Sequence, residues 1–277
     1  MSAKDDKPVT SRAAASTVWP VGALFRLSFV QLLGTRRALL YGVLLLLPPV
    51  FSLYVWLGPP SYSETLYLWG IIFVVAYLGF VVPFTALFYG TMLIRPEHEA
   101  HTLTYLVTRP VPRWLTVLVK YVSAAVVCIV GVTVSMLVAY VMLGLEFGMA
   151  PVVENFRYWF RLAGVSVVAL LVYLALFLFV GVRFRRPVIV AVVFIVVWEG
   201  LVGLIPGIIR FATVTHYLRS LAIRATQETV MLPRYVTVKT APLGVACVVL
   251  AALWAAMLGL SLGWFARAEF HTNPDRK

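Results

Sequence analysis

With 277 residues, 62% hydrophobic and only 12% charged, the chain has a mean hydropathy of +0.94. Soluble domains carry about 25% charged residues, so too little polar surface remains to face water, and a soluble enzyme or binding module is excluded. The net charge of +12 has no soluble domain to sit on. That sets nucleic acid aside as a partner and leaves membrane orientation and attraction to anionic headgroups as the meaning of the charge.

In chain order, residues 1–17 form a polar tail, and no apolar run of the signal-peptide kind opens the chain. The tail is placed in the cytoplasm and no cleaved leader is expected. Residues 18–38 carry Val21, Leu24, Phe25, Leu27, Phe29, Val30, Leu32 and Leu33, interrupted by Arg26, Gln31 and the Gly34-Thr35-Arg36-Arg37 stop. Too broken to span, this segment predicts an amphipathic helix lying at the inner interface, begun at Pro20 with Trp19 at headgroup depth.

A spanning helix needs about 20 mostly apolar residues. Six runs meet that need within residues 39–265: Leu39–Leu57, Leu66–Ile94, Trp114–Gly144, Phe160–Val182, Pro187–Ile209 and Pro242–Phe265. The fold class is therefore an all-α integral membrane protein with six transmembrane helices in one domain. Pro48-Pro49 in the first run and Pro83 in the second remove backbone donors and predict kinks. In the sixth run Cys247, Ala251, Ala255, Gly259 and Gly263 recur every four residues. That spacing lets another helix approach closely. Packing within the chain is the simpler expectation; a second copy is the alternative.

Lys and Arg concentrate on the cytoplasmic side of short loops. With the N-terminus inside, the inner segments hold 16 basic residues and the outer segments 7, five of those in the long outer loop at residues 210–241. Both termini, including the tail at residues 266–277, are thus placed in the cytoplasm. Cys128 and Cys247 fall inside apolar runs and read as small buried hydrophobes.

Glu199 is the acidic residue set well inside a run, in Val197-Trp198-Glu199-Gly200-Leu201. A charge at the middle of a membrane helix costs roughly 2.5–3.5 kcal/mol on insertion scales. It must face protein or water, or carry a proton. The spans offer almost no titratable partner for a proton relay apart from Lys120, so a structural hydrogen bond near the end of a broken helix is the expectation. The outer loop contains an amphipathic stretch at His216–Ile223, placed as a cap over the outer exit of a pathway. The short basic segment Arg183-Phe184-Arg185-Arg186-Pro187 reads as an inner anchor, with a contact to a cytoplasmic partner as the alternative.

The polar loop at residues 95–113 is too short for a domain and too charged for lipid, which makes it a docking surface for something in water. Its His98-Glu99-Ala100-His101 spaces the histidines three apart rather than the four of a zinc-protease helix, and no third ligand follows. No GxxxxGK[ST] phosphate loop and no GxSxG nucleophile elbow occur. ATP or acyl-bond hydrolysis by this chain is not expected.

The run from Glu97 to Arg113, with Glu97, Glu99, Thr102, Leu103, Leu106, Arg109, Pro110, Val111, Arg113 and then Lys120, resembles the cytoplasmic loop of type-2 ATP-binding-cassette (ABC) transporter permeases. His101 stands where that family usually has Gly. A second likeness, Trp198-Glu199-Gly200-Leu201-Val202-Gly203 with Ile208-Ile209-Arg210-Phe211 and Thr215-His216-Tyr217, is to the branch that includes copper-enzyme maturation and gliding-motility permeases. The resemblance implies six spans with both ends inside, an N-terminal interfacial helix and a coupling loop at 95–113. It implies no cofactor on this chain, with ATP and Mg bound by a separate ABC-type ATPase subunit, and a second permease, identical or related. By position Glu97, Glu99, Arg109 and Arg113 would contact the ATPase, stiffened by Pro110 and Pro112.

The resulting expectation is a multi-pass cell-membrane permease subunit of an ATP-driven exporter. Its substrate is unidentified, and the 17 Phe, 13 Tyr and 8 Trp suit a hydrophobic one. Two alternatives stay open. One is a non-transporting mechanical or assembly partner of an ATPase. The other is an ion-coupled carrier, which would need intramembrane charges and inverted repeats that the chain scarcely offers.

Overall fold

The computed structural model describes residues 22, 25, 26, 28, 29, 32, 34, 36–56, 69–93 except 71 and 92, 113–144, 153–203, 208–226 and 241–267. Helix α1 is Arg36–Trp56, α2 is Ile72–Gly90 and α3 is Arg113–Gly144. Helix α4 is Phe156–Arg183 and α5 is Pro187–Val202; a 3₁₀ turn at Ile208–Ala212 then leads into α6, Val214–Thr226, and α7 is Leu243–Arg267. Among the described residues every regular element is helical. All the helices except α6 are apolar along their length, and four are long enough to cross a bilayer, namely α2, α3, α4 and α7. The apolar parts of α1 and α5 are shorter, at Ala38–Tyr54 and Pro187–Val202. Upstream of α1, residues 22, 25, 26, 28, 29 and 32 are helical as well, with Phe25 stacked on Phe29 at 6.4 Å and Ser28 buried.

Helices α2 and α4 form the centre. They supply most of the largest fully buried side chains, among them Phe73, Tyr77, Leu78, Leu87, Tyr173, Leu174 and Phe177. Helices α1 and α7 are peripheral and turn long apolar faces outward, as at Leu39, Val43, Leu46, Val50 and Tyr54 on α1 and Val245, Val248, Leu260 and Trp264 on α7. Faces like these are stable where hydrocarbon or another apolar surface covers them. Helix α1 runs parallel to α3, since Tyr41 bonds Val127 and Cys128 carbonyls while Leu45 meets Ser135. Helix α2 runs antiparallel to α3, with Tyr77 beside Ser135 and Leu93 beside Lys120.

The molecule therefore has two distinct ends. At one, α2 finishes, α3 begins, α4 finishes and α5 begins. Arg183, at the close of α4, lies 4.9 Å over the ring of Trp264 near the end of α7. This is the loop end. At the other, α4 begins and α5 finishes against α6.

The prolines of α1 do not break it; the helix is continuous from Arg36 to Trp56. Pro49 has no N–H to offer the Leu45 carbonyl, and a neighbouring helix makes up the loss, with Ser135 Oγ donating to Leu45 O at 2.5 Å. Because the serine proton is committed there, Tyr77 must donate in its 3.0 Å contact with Ser135 Oγ. A single proline-freed carbonyl thus organises α1, α2 and α3 together. In the α1–α3 approach Gly131 lies against the Tyr41 ring, and a Cβ there would have to displace the Tyr41 hydroxyl and the Leu45 side chain. In α2 the turns before Pro83 are π-helical over Ile72–Val81, and the α register resumes at Val82.

Ser135→Ala should strand the Leu45 carbonyl and lower stability by roughly 1–3 kcal/mol. Tyr77→Phe added to it should cost much less than it does alone, because both act through one network. Thermal unfolding in detergent of the two single variants and the double variant checks this.

Candidate functional site

At the loop end, the expected docking residues Glu97, Glu99, Thr102, Leu103, Leu106, Arg109 and Pro110 lie outside the described residues; Arg113 is the first residue of α3. What the structure describes is how that segment is rooted. Thr91 continues the last turn of α2, its hydroxyl donating to Leu87 O at 2.7 Å. Leu93 follows, and the buried Lys120 of α3 donates from Nζ to its carbonyl at 3.2 Å. The end of α2 and the start of α3 are thus tied together by the Lys120 side chain. Beside them, Arg183, Phe184, Arg185 and Arg186 are exposed before Pro187 starts α5.

At the opposite end Glu199 is buried, and its carboxylate closes a different kind of joint. Oε1 accepts from Val214 N at 3.0 Å, and Oε2 accepts from Thr215 N at 2.9 Å and Thr215 Oγ1 at 2.5 Å. Val214 and Thr215 are the first residues of α6, whose leading N–H groups have no partner within the helix. A carboxylate there meets both the free donors and the positive end of the helix dipole. Since the Thr215 proton goes to Glu199, Tyr173 of α4 must donate in its 3.1 Å contact with Thr215 Oγ1. Glu199 sits in the π-helical stretch Phe194–Val202, and Trp198 beside it donates from Nε1 to Ala212 O at 3.2 Å, holding the 3₁₀ turn.

The far end of α6 is held with the opposite charge. Arg161 of α4 donates to Ala225 O at 2.9 Å, and Arg224 Nε donates to Ala241 O at 3.0 Å. Ala241 N in turn donates to Ser220 Oγ at 3.2 Å. Helix α6 is therefore clamped by an anion at its N-terminus and cations at its C-terminus, each complementing its dipole. His216, buried on α6, sits edge-on to Phe211 at 4.9 Å and to Tyr217 at 5.3 Å. Burial, with the charges of Arg210 and Arg219, holds its imidazole below the usual range.

Glu199 thus makes the structural hydrogen bonds expected of it, and the amphipathic stretch at His216–Ile223 is helical as read. The sixth-run stripe is placed otherwise. Ala251, Ala255, Gly259 and Gly263 lie on the exposed face of α7, and a Cβ at either glycine would meet nothing within 4 Å. The expected close packing within the chain is not made among the described residues. Cys247 shares that exposed face, which corrects its reading as a buried hydrophobe, while Cys128 is buried. Thr215 stands in the run Thr215-His216-Tyr217, but neither its bond to Glu199 nor the Tyr173 hydroxyl of α4 behind it is readable from sequence; hydroxyls in apolar helices carry no signal of which neighbour they meet.

Residues 32–198, more than half of the chain, match the family described as ABC-2 family transporter protein. The chain belongs to that family: it is a permease-type membrane subunit of an ABC transporter. Among curated proteins none matches it.

Glu199→Ala should leave two buried N–H groups of α6 without acceptors, at roughly 1–3 kcal/mol each. Lower thermal stability and faster hydrogen exchange at Val214 and Thr215 are the expected readouts. His216 makes stability depend on pH with a definite sign. Its folded-state pKa is depressed below the ordinary value near 6.5, so the unfolded chain binds the proton more readily. The contribution is present above about pH 6.5 and drains away as pH falls below it. His216→Phe should flatten that part of a melting-temperature profile between pH 7.5 and 5, each pH measured in the same detergent.

Proposed function

We propose that this chain is the membrane-spanning half of an ATP-driven exporter, coupled through residues 95–113 to a separate ABC-type ATPase that supplies the ATP and Mg chemistry. The observation that carries the reading is the family match combined with the rooted loop end. A charged segment with Glu97, Glu99, Arg109 and Arg113 leaves and re-enters the bundle through two stems pinned together by Lys120 and Leu93 O. Pinned stems suit a segment that must pass displacement to the helices rather than absorb it. In this reading α1 and α5 complete a set of six spans, each tilted or extended by flanking residues to cross. The loop end and both termini face the cytoplasm, and α6 lies over the outer exit. The run from Trp198 to Gly203 supports placing the chain with the copper-enzyme maturation and gliding-motility branch.

The chain has no phosphate loop, so hydrolysis is assigned to the partner. A second permease completes the pathway in a multi-pass cell-membrane complex, with a hydrophobic substrate favoured by the aromatic content. A carrier driven by ions is the poorer reading, because the acceptor positions of Glu199 are occupied by α6 donors rather than left open to a mobile cation.

Gentle purification of the tagged chain from native membranes, followed by Mg-ATP hydrolysis on the eluate, tests the reading. The wild type should bring down an ATPase, and a Glu97→Lys/Arg109→Glu variant should lose it while still eluting as a folded species. A wild-type chain that elutes alone and inactive would overturn the coupling.

A further inference from the structure

A close helix contact with little room to deform lies at the loop end, and it joins α2 to α4, helices that do not share the loop. Gly90 and Gly181 face each other's helices. A Cβ on Gly90 would fall 2.9 Å from Phe177 Cβ, 3.2 Å from Leu178 N and 3.3 Å from Leu174 O, all on α4. A Cβ on Gly181 would fall 2.8 Å from Thr91 O and 3.1 Å from the Thr91 carbonyl carbon and Cα, at the end of α2. Each helix presents a glycine to the other's main chain, with the Phe177 Cβ the one side-chain atom among these nearest contacts. By contrast, glycines such as Gly164 on α4 have nothing within 4 Å of an added Cβ.

The consequence is mechanical. Side chains at a helix interface can change rotamer and let one helix slide on another; main-chain contacts at van der Waals distance have no such freedom. The joint also sits at a decisive place. Thr91 is two residues ahead of Leu93, the stem held by Lys120, and Gly181 is two residues ahead of Arg183, where the basic segment to α5 starts. We propose that Gly90 and Gly181 are the positioning residues of energy coupling. Through them, displacement of the 95–113 stem is delivered to α4, so that the end of α2, the end of α4 and the Arg183–Pro187 turn move as one rigid body. Through Pro187 the same body leads into α5 and so toward Glu199 and α6 at the far end. The inference rests on the coupling reading above and adds the route by which the stroke leaves the two helices that flank the loop.

The test uses the assembled transporter with its ATPase in lipid nanodiscs, in a Cys128→Ala/Cys247→Ala background, with spin-label pairs measured without nucleotide and with Mg-ATP plus vanadate. Leu39→Cys on α1 is the reference. The pair with Phe184→Cys reports α4, and the pair with Trp114→Cys reports α3, the helix that follows the loop directly. In the otherwise wild-type protein both distances should shift with nucleotide, while a Phe88→Cys/Phe184→Cys pair, within the proposed rigid body, should not. Gly90→Ala and Gly181→Ala should each remove the larger part of the Phe184 shift while leaving ATPase association, ATP hydrolysis and the Trp114 shift in place. Gly164→Ala, a methyl group added on the same helix in open space, should change nothing.

A Phe184 shift that survives both joint substitutions intact, with the Trp114 shift present, would overturn the joint and leave the coupling reading standing. A nucleotide-dependent change in the Phe88–Phe184 distance would overturn it too, and needs no glycine variant to fold. If no ATPase accompanies the wild type, the coupling reading fails, and the joint's role in it fails with it.

Discussion

In hydrocarbon no water is available to complete a backbone hydrogen bond, so every carbonyl and amide freed by the sequence must find a partner in the protein. The interior polar contacts of this chain are largely answers to that constraint. Ser135 answers the carbonyl that Pro49 releases, and Tyr77 is drawn in behind it. Lys120 answers Leu93 where α2 ends. Glu199, helped by Tyr173 through Thr215, answers the unpaired amides that open α6. Some other hydroxyls bond back to their own helix, as Ser123 does to Val119 and Ser261 to Met257, while the buried hydroxyls of Thr85 and Tyr89 have no hydrogen-bond partner among the described residues. Among the described residues several of the inter-helix polar bonds fall where helices begin, end or meet a proline.

That placement divides the molecule into two differently built ends joined by the α2–α4 centre. The loop end is basic and exposed, and is fastened by an ammonium–carbonyl bond and a glycine joint. The α6 end is fastened by a carboxylate on one helix terminus and guanidinium groups on and near the other. Trp254, Tyr121 and the Leu171 carbonyl link α7, α3 and α4 between the two.

Much of this was legible in the residues. The apolar runs gave helices, the amphipathic stretch at His216–Ile223 gave α6, and the cost of burying a charge was enough to assign Glu199 a structural bond. The matching loop residues pointed to the ABC-2 family before any fold was known. Other features were hidden for physical reasons. At Pro48-Pro49 a sequence shows the lost donor but not the serine on another helix that answers the freed carbonyl. The small-residue stripe of α7 has the spacing of a packing face, yet spacing does not say which face the rest of the bundle covers. Gly90 and Gly181 look like ordinary glycines in apolar helices, and what distinguishes them from Gly164 is how closely each meets the opposite helix.

The most direct test of the account is photocrosslinking in native membranes from a benzoylphenylalanine placed at Leu106, with one at Val153 on the opposite end as comparison. The adduct would be probed with a photoreactive ATP analogue. The account predicts that Leu106 captures an ATP-binding subunit and Val153 does not. An ATP-binding adduct from Val153, or none from Leu106 while the protein is intact in the membrane, would contradict it.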